Sequence, residues 1–207
     1  MYIATMARHF SNAERETIRT QLLAAGLERF TRHGLRGLRI EDVCRDIGIA
    51  KGSFYSFFPH KEALFLAIAD DRDQAHKAEI LSTLERTTGT ASERAVRFFD
   101  LMVEKLRSDP LIAIVSVPED LAAIMRRMPP ERVAHEAEKD EVFMLAFCEN
   151  LRTQGLGTVP DARAITGILG LLVSLVLQKA LMSEDMFEIS VALLRELFVL
   201  KVTGQAS

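Results

Sequence analysis

The 207-residue chain contains no tryptophan, two tyrosines, six prolines and eleven glycines. Residues that break helices are therefore few, whereas leucine, alanine, glutamate and arginine, which favour helices, are abundant. The sequence also lacks sustained period-two alternation of apolar and polar residues, internal repeats and low-complexity tracts. These absences argue against strands, so we predict an all-α fold with about nine helices.

Cysteine is equally scarce. The two cysteines, Cys44 and Cys148, form neither a C-x-x-C pair nor a disulfide framework, and free thiols fit a reducing cytoplasm. The five histidines include no H-x-x-x-H pair, and the sequence has no G-x-S-x-G, Walker or G-x-G-x-x-G motif. We therefore expect no enzyme, no cofactor and no bound metal, even at His135 and Glu138, which lie one helical turn apart.

A long apolar run is also missing. The longest uncharged stretch covers residues 164–178, which is 15 residues, whereas a membrane-spanning helix needs about 20 apolar residues. The first ten residues contain no apolar run of the kind found in signal peptides. We therefore expect a cytoplasmic protein without a membrane partner, in which the stretch 164–178 is a buried helix.

Positive charge is scarce overall but concentrated near the N-terminus. The chain has 26 basic and 29 acidic residues, a net charge of −3. Between Arg8 and Lys61 ten basic residues stand against six acidic ones, so this segment carries +4 and the remainder −7. This asymmetry is expected of a DNA-binding head joined to a body that stays away from the phosphate backbone.

Three helical patterns occur in the first sixty residues, and each ends at a glycine or a proline. They cover residues 12–32, 40–47 and 51–58. Ser11 and Glu14 form a capping-box pattern before the first helix, and Gly48 permits a sharp turn between the other two. This set is typical of a homeodomain-like DNA-binding head. We assign the head to residues 12–60 and its helix-turn-helix to residues 38–57.

The third helix presents a polar side that we expect to contact DNA. Phe54 and Phe58 are four residues apart and should face the core, which leaves the other side outward. Lys51 and Ser53 are candidates for base edges or flanking phosphates, and Tyr55 for a phosphate oxygen or a thymine methyl group. The remaining candidates for DNA contact are Arg39, Glu41, Gly52, Phe57 and Lys61.

These remaining residues have different expected roles. Arg39 and Lys61 are candidates for phosphate contacts, and Gly52 permits close approach of the DNA. Glu41 could accept a hydrogen bond from a cytosine amine or merely complement the helix dipole. Phe57 lies between the core side and the groove side. Taken singly, the lysines could equally be ordinary surface residues and Tyr55 a half-buried core residue.

We predict that residues 61–207 form a helical ligand-binding and dimerisation domain. Its last two helices are apolar around nearly their full circumference, so each must be covered on all sides. A second copy would cover them in a four-helix bundle, with Gly167 and Gly170 allowing close approach; a simple core without dimerisation is the alternative. The predicted interface residues are Ile165, Ile168, Leu172, Leu175, Ile189, Leu193 and Leu197.

The middle helices combine phenylalanine with methionine, which suits an adaptable apolar cavity. The same residues would equally suit an ordinary core. The predicted pocket residues are Phe98, Phe99, Met102, Leu106, Met125, Phe143, Met144 and Phe147.

The head closely resembles that of TetR-type (TetR/AcrR) regulators. The resemblance covers residues 18–68 and is carried by Ile40–Val43, Gly48–Tyr55 and Phe58–Phe65. It implies a homodimeric transcriptional repressor that binds a palindromic operator and is released by a small apolar ligand. The DNA-facing positions of the motif fall on Lys51, Gly52, Ser53, Tyr55, Phe57 and Lys61. The sequence departs from the motif where Arg39 replaces a threonine cap and where Ala50 and His60 replace serine caps.

A DNA-binding architectural or division-linked protein without an inducer is the alternative. It would have the same head. A filled interior in the body would support this alternative, whereas an accessible cavity would favour the ligand-responsive regulator.

Overall fold

The computed structural model describes residues 10–153 and 162–204. Within these residues the chain is all-α, as predicted, with ten α-helices and a 3-10 turn at Lys179–Leu181. In chain order the helices are α1 (Asn12–Gly37), α2 (Ile40–Asp46), α3 (Lys51–Phe54), α4 (Lys61–Arg86), α5 (Ala91–Ser108), α6 (Pro110–Val115), α7 (Pro118–Arg127), α8 (Pro130–Thr153), α9 (Ala162–Leu177) and α10 (Glu184–Thr203). The first ten residues, in which we expect no signal peptide, lie outside the described residues except for Phe10.

The signals at the ends of the head helices act as predicted. The Glu14 amide donates to Ser11 Oγ at 3.3 Å, and the Ser11 amide donates to Glu14 Oε2 at 2.9 Å, which completes a capping box. Gly34 has φ 66° and ψ −177°, a conformation open essentially to glycine alone, and it kinks α1 before the last helical turn. Gly48 has φ 72° and turns the chain between α2 and α3.

Local backbone conformation sets two further helix boundaries. The chain between Pro110 and Arg127 forms two helices, interrupted before Pro118, because Val117 is extended (φ −85°, ψ 114°). A residue before proline is disfavoured in the helical region, and Pro118 then begins α7 at a position where its missing amide costs nothing. The helix α3 ends at Phe54, although turn hydrogen bonds continue to Phe58, whose amide donates to the Phe54 carbonyl at 3.0 Å.

Contacts divide the described residues into two units. The first comprises residues 10–72 and 117–128, and the second comprises residues 73–116, 129–153 and 162–204. The helix α4 therefore contributes to both units, and α7 belongs with the helix-turn-helix. We predicted a domain boundary between residues 60 and 61, directly after the helix-turn-helix. The two contact units do not test this boundary, which stays a prediction.

Each unit has its own apolar core. In the first unit, Leu22, Phe30, Val43 and Phe54 are completely buried. In the second, three phenylalanine rings from α8 and α10 stack around Phe98 of α5. Both cysteines are buried and free. In the described part of the chain, no helix has the length and apolar character needed to cross a membrane.

Candidate nucleic-acid interface

The outward side of the helix-turn-helix is defined by two buried rings. Phe54 and Phe58 are buried, as predicted, and their ring centroids lie 5.9 Å apart. Tyr55, whose ring meets that of Phe54 edge-on at 5.6 Å, is 48% exposed. Lys51 and Gly52 are also exposed. The structure therefore exposes three predicted DNA-contacting residues on and directly after α3, with Ser53 half-buried beside them.

A bidentate ion pair holds α2 against α1. Arg29 Nε and Nη2 donate to the two carboxylate oxygens of Asp46, both at 2.7 Å. The hydrogen bonds from Arg29 lower the pKa of Asp46 and outweigh the opposing effect of desolvation. Because Asp46 is the last residue of α2, this pair fixes the end of the helix from which the glycine turn leads into α3.

The first turn of α2 is connected to the start of α3 by a second ion pair. Lys51 Nζ donates to Glu41 Oε1, and each side chain is 50% exposed. The hydrogen bond lowers the pKa of Glu41 and raises that of Lys51. We predicted Glu41 and Lys51 as two separate DNA contacts. The structure joins them in one ion pair, which the sequence did not indicate.

Arg39 precedes α2 and makes no side-chain cap, as its departure from the threonine of the motif suggested. Its side chain is exposed, and among the described residues no hydrogen bond or ion pair engages its guanidinium. An unengaged cation beside α2 is what a phosphate contact requires.

Lys61 and His60 both cap helices. Lys61 Nζ donates to the carbonyl oxygens of Arg36 at 3.3 Å and Leu38 at 3.5 Å, at the C-terminal end of α1. The Ala63 amide donates to His60 Nδ1 at 3.0 Å, so His60 replaces the serine cap of α4. The expected phosphate contact of Lys61 stays a prediction, and it would have to share the ammonium with these carbonyls.

Phe57 is packed on its core side. Its ring lies 6.1 Å from that of Phe10, and the Arg15 guanidinium is 4.8 Å above it. Arg15 Nη2 also donates to the Ser56 carbonyl at 3.1 Å. These contacts favour the core alternative for Phe57, in which it joins the start of α1 to the turn after α3.

One contact in the first unit escaped the sequence analysis. Arg36 Nε donates to Asp120 Oδ1 at 3.0 Å, and Asp120 is buried. Arg36 Nη2 also lies 3.4 Å from Glu119. These pairs attach α7 to the end of α1, and no local pattern signals them because the partners are 84 residues apart.

The predicted pocket residues form a packed core rather than a cavity. The Phe98 ring centroid lies 3.8 Å from that of Phe147 and 5.9 Å from that of Phe143. Phe99 and Met144 are buried with them, and Met102 and Leu106 pack against the same cluster. Met125 was wrongly placed in this set, because it lies on α7 in the first unit and is 50% exposed.

A groove of about 460 Å³ lies between α4 and α8 in the second unit. Of the predicted pocket residues, Phe143 lines it. The lining residues are Asp73, Gln74, Lys77, Ala78, Leu81, His135, Glu138, Lys139, Val142, Phe143 and Ala146. Both lysines are engaged: Lys77 Nζ lies 2.7 Å from Asp73 and 2.6 Å from Asp140, and Lys139 Nζ lies 3.2 Å from Glu136.

The predicted interface residues divide into two groups. Ile165, Ile168 and Leu172 are wrong as interface residues, because they are buried in the core of their own chain, and Leu175 packs against that core. Ile189, Leu193 and Leu197 are exposed on α10. Three further exposed apolar residues, which the sequence did not single out, are Leu171 on α9 and Met186 and Leu200 on α10. Gly167 and Gly170 share the exposed side of α9 with Leu171.

Within the described residues, no group of three or more histidine, cysteine, aspartate or glutamate side chains is arranged to hold a metal ion.

Comparisons with known proteins agree with this arrangement. The family described as bacterial regulatory proteins, tetR family, matches residues 22–68. A crystal structure of a TetR-family transcriptional regulator from Pectobacterium atrosepticum superposes with a TM-score of 0.69, at 20% identity, over 96% of this chain and 100% of that one. The head of the chain is thus similar to that of tetR-family regulatory proteins, and the whole chain shares the fold of the Pectobacterium regulator.

Two further proteins are similar to this chain, one in a short sequence segment and the other in its fold. RutR of Escherichia coli K12, an HTH-type transcriptional regulator, is 36% identical over 47 residues, which are 23% of this chain and 22% of RutR. The match thus spans less than a quarter of that relative. The structure of RolR in complex with resorcinol has a TM-score of 0.60, at 18% identity, over 95% of this chain and 98% of RolR.

Proposed function

We propose that this TetR-type protein is a sequence-specific DNA-binding transcriptional regulator, a repressor that a small apolar ligand releases from a palindromic operator. The observation that carries the proposal is the outward row of Lys51, Gly52 and Tyr55 on α3 and the turn after it, whose other side is anchored by Phe54 and Phe58. A helix presented in this way fits the major groove, which is about 12 Å wide. Its target would be chromosomal DNA, so we place the protein in the cytoplasm.

A gel shift with the purified chain tests DNA binding. The probe is the DNA upstream of its own coding sequence, and the variants are Lys51→Ala, Tyr55→Ala and Arg32→Ala. Arg32 is the matched control, since it is an exposed cation that pairs with Glu28 on α1. We expect the first two variants to weaken binding at least about tenfold and the third to leave it unchanged. Equal losses for all three would contradict contact through α3.

The exposed apolar stripe on α10 supports a homodimer. Ile189 and Leu193 are 53% and 60% exposed, and Leu197 lies one turn further along the same side. Burying such a stripe against a second copy removes apolar surface from water, at about 25 cal/mol per Å². Two heads held in one dimer would bind half-sites about 34 Å apart, which makes the operator palindromic.

The groove between α4 and α8 is the proposed ligand site. Its floor is apolar, with Leu81, Val142 and Phe143, and its lysines are already paired with carboxylates. An anionic ligand would have to displace those carboxylates, so we expect a neutral or cationic apolar molecule. RolR, which has the same fold, is known in complex with resorcinol, a small neutral ring compound.

The helix α4 supplies the proposed mechanism of release. It is one continuous helix that lines the groove with residues 73–81 and carries Lys61 at its start. A ligand that shifts its second half would also shift its first half. The ligand must bind the form that does not bind DNA more tightly, by about 1.4 kcal/mol for each tenfold release.

Filling the groove tests the ligand site. We expect the fluorescence of Nile red, a neutral apolar dye, to rise with the wild-type chain and to fall markedly with Ala146→Trp, since Ala146 lines the groove. The control is Ala134→Trp, at an exposed position of α8 that does not line the groove. Unchanged dye binding by the Ala146 variant would contradict the assignment.

The filled aromatic core around Phe98 favours a second candidate, a DNA-binding architectural or division-linked protein without an inducer. The groove favours the ligand-responsive regulator instead. Operator titrations decide between them. If no compound that binds the groove changes operator affinity, the regulator loses its sensor role and the second candidate stands.

A further inference from the structure

The ion pair between Glu41 and Lys51 places a hydrogen-bond acceptor directly beside a donor on the outward surface of the helix-turn-helix. Glu41 comes from the first turn of α2 and Lys51 from the first residue of α3. Both side chains are half exposed, so carboxylate lone pairs and further N–H donors of the ammonium are accessible from outside. Besides joining α2 to α3, the pair therefore has acceptor and donor sites left for a ligand.

The pair is poorly suited to bind the phosphate backbone. A phosphate that approached Lys51 would also approach the Glu41 carboxylate, and the two anions repel each other. The pair has no net charge, so it would release few counterions on binding. Arg39, which is exposed and unengaged among the described residues, is the better phosphate contact on this side of the head. Lys51 and Glu41 are therefore left for the base edges.

The major-groove edge of a C·G base pair has the complementary arrangement. Guanine presents two acceptors, N7 and O6, and the N4 amino donor of cytosine lies next to O6 because the two are paired across the base pair. An ammonium can donate to both guanine acceptors while the adjacent carboxylate accepts from the cytosine amine. An A·T pair offers single acceptors on either side of its donor, so the ammonium loses one of these contacts.

We propose that Glu41 and Lys51 act together as a reader of one C·G base pair in each half-site. This inference rests on the proposed DNA-binding function, since it assigns a base preference to that same surface. In this reader Glu41 has two effects. Its carboxylate accepts a hydrogen bond from cytosine, and it also keeps Lys51 from binding the phosphate backbone. Glu41 therefore raises sequence specificity and lowers the affinity for non-specific DNA.

The experiment selects binding sites for the full-length chain from a random DNA library and then measures affinities for single-base variants of the selected site. The chain variants are Glu41→Gln and Lys51→Gln. Asp42→Asn is the matched control, because it makes the same change at the neighbouring residue, whose carboxylate pairs with Arg45 at 2.8 Å. Thermal melts confirm that every variant is folded.

The wild-type chain should prefer C·G at one position of each half-site by at least about tenfold, the discrimination expected of a good base contact. We expect Glu41→Gln to reduce this preference below about threefold. The same variant should bind non-specific DNA more tightly, with a salt slope steeper by about one unit for each protomer, because Lys51 is then free to bind phosphate. Lys51→Gln should lose the same preference, and Asp42→Asn should keep it.

Two results would overturn the inference, and they differ from each other. If Glu41→Gln changes affinity for all sequences by the same factor and keeps the base preference, the pair does not read a base, and the proposed DNA-binding function stands. If the wild-type chain selects no sequence from the library, the proposed function fails as well.

Discussion

Gly52 lies on the outward side of α3, and a β-carbon added there would meet no atom within 4 Å. In the free protein Gly52→Ala should therefore be tolerated or slightly stabilising, since alanine favours a helix over glycine by up to about 1 kcal/mol. Against DNA the same methyl group would hold the helix away from the groove. We expect an unchanged or higher melting temperature together with operator affinity about tenfold lower. Unchanged affinity would show that DNA does not approach this residue closely.

The ion pair between Arg29 and Asp46 makes the stability of the head depend on acid. The pKa of Asp46 is lowered in the folded chain, so its stabilisation is present at neutral pH and is lost as pH falls through the lowered value. Asp46→Asn should lower the melting temperature at pH 7, and the two melting curves should converge in acid. A difference that stays constant with pH would mean that the charge of Asp46 does not contribute.

At the scale of single residues, the sequence predicted the contacts between residues that are close together along the chain. The capping box of Ser11 and Glu14 spans three residues, and the buried pair Phe54 and Phe58 spans four. The pairing of Lys51 with Glu41 was missed because it depends on how two helices meet. Long charged side chains have many possible partners, and a sequence pattern does not choose among them.

At the scale of the helices, residues near the C-terminal ends of α4 and α8 both contact the same buried side chain. Arg94, on α5, donates to the Leu84 carbonyl at 3.2 Å and to Asn150 Oδ1 at 2.6 Å, and both acceptors lie in the last turns of their helices. The partial negative charge at a helix C-terminus favours a cation there. Burial lowers the pKa of Arg94, and its Nε has no hydrogen-bond partner. The Leu84 carbonyl and the Asn150 side-chain oxygen thus take the place of a carboxylate partner.

Replacing this arginine should show whether it joins the helices. Arg94→Met leaves the Asn150 amide oxygen without this donor and leaves the Leu84 carbonyl with the Thr87 amide at 3.1 Å, so we expect the free energy of unfolding to fall by about 1–3 kcal/mol in urea titrations. The double variant Arg94→Met with Asn150→Leu removes a polar group from both sides and should recover part of that loss. A single variant at least as stable as the wild type would contradict the role of Arg94.

The boundaries of most helices followed from local signals, whereas the faces of α9 did not. Its apolar residues surround nearly the whole helix, and sequence alone cannot say which of them meet the chain's own core. The structure buries Ile165 and Leu172 there and leaves Leu171, 57% exposed, on the other side. The pattern of apolar residues predicts that the surface of α9 must be buried. Only the packing of neighbouring helices decides which side is buried by the chain's own core.

For the molecule as a whole, the TetR-type head could be identified from residues 18–68, but the position of α7 could not. That helix lies between α6 and α8 of the second unit in the sequence but packs in the first unit, through Asp120 and Arg36. The sequence also did not show that most of the predicted pocket residues pack into a core, because a mixture of phenylalanine and methionine is common to cores and cavities. Which of the two it forms depends on whether neighbouring rings fill the space, as those around Phe98 do.

The exposed stripe on α10 leads to a prediction about assembly and DNA binding together. Leu193→Glu places a charge on that stripe, and because the position is exposed the fold of the single chain should change in stability by less than about 0.5 kcal/mol. Sedimentation should show a shift from the mass of two chains to that of one. Since two linked heads bind a palindrome far more tightly than one, operator affinity should fall at least about a hundredfold.

Val133→Glu is the control for this variant, since it introduces the same charge at an exposed valine of α8, outside the stripe. It should leave both mass and affinity unchanged. If Leu193→Glu remains dimeric, the two copies meet on another surface. If it becomes monomeric and still binds the full operator as the wild type does, each head acts alone, and the palindrome has no physical basis in this chain.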